Sequence, residues 1–90
     1  MSDKLLKRYV KDRDKALRNL DIKEFIDFLY KYVEVLGYEF VRAFVMKDEM
    51  TQMATMCKSV CNISSFQGTE TYQRARAWLM VHGMKEDIQL

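Results

Sequence analysis

Cys57 and Cys61 stand four residues apart, and His82 is the one histidine of the chain. Together they offer three soft donors. A structural zinc site takes four ligands, usually from C-x2-C knuckles, and this sequence has no second cysteine pair. A disulfide between positions i and i+4 of one helix would be strained. Buried, unreactive thiols are therefore expected, with no metal and no cofactor. His82 precedes Gly83 at the end of a helical pattern, where an imidazole meets free backbone carbonyls. Ser59, Ser64 and Ser65 share no recognisable triad spacing with it. The acidic pairs Asp48-Glu49 and Glu86-Asp87 suit a helix start and a tail, and Gly68 alone makes no phosphate loop. These residues point away from an enzyme.

Binding chemistry is better represented. Residues 1–20 carry seven Lys/Arg and three Asp, a net of +4, whereas residues 21–90 net −2. A basic arm thus joins a mildly acidic body. Such an arm is either a solvated helix face or a surface that meets anions. Lys4, Lys7, Arg8 and Lys11 lead the candidates for a partner contact, followed by Arg74 and Arg76. Gln73, Arg74, Arg76 and Trp78 resemble a DNA-reading helix in composition, but NISSFQG (62–68) is too long for the turn of a helix-turn-helix. Arg74 lies four residues before Trp78 and is placed to stack on its indole. Met50, Met53 and Met56, with Met46 just before, suit an irregular core, or else a partner groove or dimer seam.

The elements that must carry these groups are helices. The organising stretch is Asp21 to Leu36, with apolar residues at Ile22, Phe25, Ile26, Leu29, Tyr32, Val33 and Leu36, the spacing of one helix face. Asp21 is the expected N-cap and Gly37 the expected stop. Phe28 and Val35 give this helix a second apolar side. Ser2 or Asp3 starts a first helix running to about Asn19, whose stripe Arg13 interrupts. Arg13 either snorkels to water or meets an acid on a neighbouring helix, snorkelling being preferred. Tyr38 to Met46 fits a helix by period and a strand by its aromatic and β-branched content, and the helix is preferred. Asp48 caps a helix to about Cys61, and Thr69 caps the last one through His82.

With no proline, three glycines, 49% apolar and 31% charged residues, the expected fold is an all-α bundle of four or five short helices. The expected organisation is a single domain over 1–84 and a frayed tail over 85–90. Such a small core would gain from dimerisation. No apolar run approaches the ~20 residues of a bilayer span. The charged N-terminus does not read as a signal peptide, and two cysteines without an export signal suggest reduced thiols in a cytosol.

RDKALRNLDIKEF (13–25) and ARAWLMVHGM (75–84) resemble the two ends of a family of small helical proteins encoded by phages and integrated mobile elements of gut Firmicutes. Arg13, Asp14, Leu20 and Asp21 match the opening pattern; Ala75, Trp78, Leu79 and Gly83 match the closing one. Together the segments cover about a quarter of the chain. Lys58 falls where relatives carry His-Lys, but Cys57 replaces the histidine, and a proline before the last helix is missing. The resemblance implies a bacterial cytoplasm and an accessory role. The expected function is non-catalytic binding of a host protein, as in an anti-CRISPR-like inhibitor of a defence nuclease. The alternatives are a DNA- or RNA-binding regulator using the first and last helices, and a homodimer whose Met/Phe faces only assemble.

Overall fold

The computed structural model describes residues 2–83, and these are all-α, with no strand among them. The chain divides into two units, Met1–Lys47 and Asp48–Leu90. Residues 84–90, including the tail expected to fray, lie outside the described residues.

The first unit holds α1 (Asp3–Leu17), α2 (Ile22–Lys31), α3 (Val33–Leu36) and α4 (Tyr38–Val45). Ser2 caps α1, its hydroxyl accepting the Leu5 amide at 3.1 Å. Asp21 caps α2 by accepting the amides of Lys23 and Glu24 at 2.9 and 3.3 Å. α1 ends because Leu20 takes a left-handed backbone, φ 53°, unusual for a bulky residue. The burial of its side chain, 7% exposed, holds it there. Arg13 neither reaches a neighbouring helix nor stretches free into water. Its guanidinium pairs with the adjacent Asp14 at 3.0 Å.

The organising stretch is not one helix. At Tyr32 the backbone leaves helical geometry, φ −110° and ψ 25°, and the chain restarts as α3. Two influences converge there. The Tyr32 ring is drawn into the core, edge-on to Tyr9 at 5.2 Å, and its hydroxyl donates to Asp12 at 2.6 Å. Val33 and Val35, both β-branched, follow at once and weaken any continuation. The split raises the helix count among the described residues to six, beside the expected four or five. Gly37 then closes α3 and opens α4: its amide donates to the Val33 carbonyl at 2.8 Å and its carbonyl accepts the Val41 amide at 3.1 Å. The ambiguous stretch is helical as α4, turning Val41 and Phe44 inward. Phe44 meets Phe25 edge-on at 5.3 Å, and Phe25, Phe28, Tyr9 and Tyr32 continue the aromatic cluster.

The second unit pairs α5 (Glu49–Asn62) with α6 (Glu70–Val81) across a turn that includes a short 3₁₀ helix, Ser64–Phe66. Asp48 caps α5, accepting the Thr51 amide and hydroxyl, both at 2.8 Å. Those donors hold the Asp48 carboxyl below its ordinary range. Thr69 caps α6 through the Tyr72 amide at 3.2 Å. Phe66 is buried in the turn, while Gln67 donates to the Cys61 carbonyl at 3.0 Å. The core side chains are Met56, Cys57, Val60, Ala75 and Leu79, each essentially inaccessible. The methionines do not form one seam. A spacing of three slips about 60° around a helix at each step. Met56 is therefore fully buried, Met53 half-buried, and Met50 53% exposed.

Candidate functional site

The reactive side chains are placed as structure. Cys57 and Cys61 are free, buried thiols. Burial, with Cys61 beside it, pushes the Cys57 thiol up to about 12; burial also raises Cys61, against a smaller opposing pull from Arg76. His82 Nδ1 lies 2.8 Å from the Trp78 carbonyl, an atom that only accepts, so Nδ1 carries the hydrogen. The imidazole also stacks on the Trp78 ring at 3.9 Å, the ring that spacing offered to Arg74. This closes the end of α6 as the sequence suggested. Among the described residues no group of three His, Cys, Asp or Glu is placed to hold a metal, and every buried polar side-chain atom has a partner. Among those residues too, no helix is long and apolar enough to cross a membrane.

The basic residues of α1 are arranged differently. At 3.6 residues per turn Lys4, Lys7, Arg8 and Lys11 fall within about 100° of one another. All four are exposed. Lys15, which the sequence reading passed over, lies in the same arc and is exposed as well. The spacing 4, 8, 11, 15 is a helical stripe and could have named it. Among the described residues, none of the five is held in an ion pair or a side-chain hydrogen bond. The opposite side of the helix carries Tyr9, Ala16 and Leu17 into the unit's core. The interior of unit one therefore fixes the direction in which the basic arc points.

Two depressions flank the arc. One, of about 280 Å³, is lined by Asp12, Lys15, Glu24, Asp27, Phe28 and Lys31, so its walls bear three carboxylates. Lys31 donates to Asp12 at 3.0 Å. The Tyr32 hydroxyl and then Lys31 hold the Asp12 carboxyl below its ordinary range. The other, of about 440 Å³, opens where α2 breaks: Leu5 and Arg8 form the α1 wall, and Tyr30, Val33 and Val35 the wall opposite. Sequence periodicity could not reveal this groove, because it exists only through the break at Tyr32.

Arg74 and Arg76 belong to the second unit. Both are exposed on α6. Two positions apart, they point about 160° away from each other and do not form one patch. Arg76 leans on the Tyr72 hydroxyl at 3.4 Å.

No family model, characterised protein or solved structure matches this chain.

Proposed function

We propose that this chain is a small accessory protein that works without catalysis, by binding an acidic surface of another protein through the basic arc of α1. The carrying observation is that Lys4, Lys7, Arg8, Lys11 and Lys15 project from one exposed side of a helix whose other side is locked into the core. Unpaired cations held in one direction steer an anionic partner and set its register. The phage and mobile-element resemblance supports a bacterial cytoplasm as the setting. A host defence nuclease, which carries acidic patches and a guide-binding channel, is the proposed target, and inhibition the proposed outcome.

Nucleic acid is the competing partner. A phosphate backbone laid along α1 would pass the carboxylates of Asp12, Glu24 and Asp27 in the flanking depression. A protein surface can place its charges one at a time and avoid them. Capture of tagged protein from bacterial lysate, with and without nuclease treatment, separates the two. We expect one specific protein retained in both halves. It should be lost when Lys7, Arg8 and Lys11 are all changed to Glu, with helicity preserved. Retention only in the untreated half would make nucleic acid the partner, and indifference to the triple change would remove α1 from the contact.

A further inference from the structure

We propose that the groove at the α2–α3 break is an anchor pocket for an acidic peptide segment of a protein partner, taking one aliphatic or aromatic side chain of that segment. This rests on the protein-binding reading of α1 and says what the partner must present there.

The groove's lining sets Leu5, Tyr30, Val33 and Val35 between the charged Arg8, Lys31 and Glu34. Tyr30 is 55% exposed and Val35 37%, facing Leu5 across a space of about 440 Å³, within the range that buries a small ligand group. Its position is fixed by packing: Tyr32 is only 5% exposed, with its ring against Tyr9 and its hydroxyl on Asp12. A pre-formed apolar recess beside a charged rim is the arrangement in which one anchor residue supplies affinity and the rim supplies direction.

Charge selects the occupant. Arg8 lies on the α1 wall of the groove and also within the basic arc, so recess and arc are continuous. The Lys31 ammonium is engaged by Asp12 and lies 5.8 Å from the Tyr32 ring centre, leaving Arg8 as the cation that faces an incoming chain. Glu34 lines the other end. The site is thus polarised: carboxylates of the peptide belong over α1, and none belongs beside Glu34. Beside the aliphatic Leu5, Val33 and Val35, Tyr30 is the exposed stacking face of the lining, which suits a side-chain anchor better than a run of bases.

The test uses fluorescein-labelled peptides with three glutamates before and one lysine after a central residue, either Leu or Ser, and labelled (dT)12 for comparison. Fluorescence anisotropy at low salt should show the Leu peptide binding about tenfold more tightly than the Ser peptide, the worth of burying one such side chain. Val35→Ser, checked for native helicity, should erase that preference, and Arg8→Glu should weaken both peptides. In wild-type protein, amide NMR shifts at Leu5, Tyr30, Val33 and Val35 should follow addition of the Leu peptide and not the Ser peptide. Equal binding of both peptides, with shifts confined to Lys4, Lys7, Arg8, Lys11 and Lys15, would overturn the pocket while leaving the basic face as a binding surface. Binding of (dT)12 with neither peptide bound would overturn both.

Discussion

Replacing Gly37 with alanine tests backbone strain separately from packing. Gly37 sits at φ 97° and ψ 133°, outside the region that residues with a side chain readily adopt. A Cβ placed there meets no atom within 4 Å, so steric crowding contributes nothing. What remains is the conformational penalty, about 1–3 kcal/mol for a side-chain-bearing residue held in such a region. The stiffer unfolded chain that makes Gly→Ala substitutions helpful elsewhere gives roughly 0.4–1 kcal/mol, and only where the native angles suit alanine. They do not suit it here. The alternative is for the backbone to relax. That would endanger the Gly37 amide bond to Val33 and the Val41 amide bond to Gly37, which end α3 and begin α4. A net loss of about 1–2 kcal/mol is expected, a fall in Tm of roughly 5–15 °C for a small domain. Urea and thermal unfolding followed by far-ultraviolet circular dichroism measure it, with the exposed Glu39→Ala as control. A Gly37→Ala midpoint indistinguishable from wild type would refute the claim that this junction requires glycine.

Four further outcomes are expected. Asp12 has its carboxyl held below the ordinary value of 3.8, chiefly by the Tyr32 hydroxyl and then by Lys31. Its contribution to stability is present above that value and is lost as pH falls through the lower folded one. The difference in urea midpoint between wild type and Asp12→Asn should therefore shrink on acidification, and a gap that widened would contradict the sign. Tyr32 has its hydroxyl raised, first by burial and then by Asp12, so its share of stability should be lost as pH rises beyond about 10. Leu79→Ala, at a position with no exposure, should cost about 2–5 kcal/mol in a urea melt, whereas Val81→Ala, at 80% exposure, should stay within roughly 0.5. Cys57 and Cys61 should resist Ellman's reagent in the native protein at pH 8 and react fully in urea, since burial keeps both as thiols. Rapid native labelling would show that the α5–α6 core opens far more readily than its packing implies.

Local chemistry was the legible part of this fold. The caps Ser2, Asp21, Asp48 and Thr69 each accept an amide of the first turn, because capping depends on a few adjacent residues. The burial of Phe25 and Leu29 on α2 and of Ala54, Met56, Cys57 and Val60 on α5, and the closure of α6 by His82, followed from spacing in the same way. Phe28, expected on a second side of its helix, is instead buried with the first. The break at Tyr32 was hidden because its causes are tertiary: Asp12 and Tyr9 on another helix pull one ring down. The same ring contacts hid the groove. Leu20 was also opaque, since its left-handed backbone is affordable only through burial that no pattern displays. For the candidate surface, the charge excess of residues 1–20 was visible, and its gathering into one arc with Lys15 follows from the helical period.

The stacking of Trp78 on His82 places the only indole of the chain in the second unit, where Tyr72 is the one tyrosine. Tyr9, Tyr30, Tyr32 and Tyr38 all lie in the first. The protein therefore carries two natural optical probes, each dominated by one unit. Indole emission tracks residues 48–90, and the phenol absorbance tracks chiefly residues 1–47. Superimposable denaturation curves from the two signals would identify one cooperative folding unit; separated curves would give each half a stability of its own, without any label or substitution.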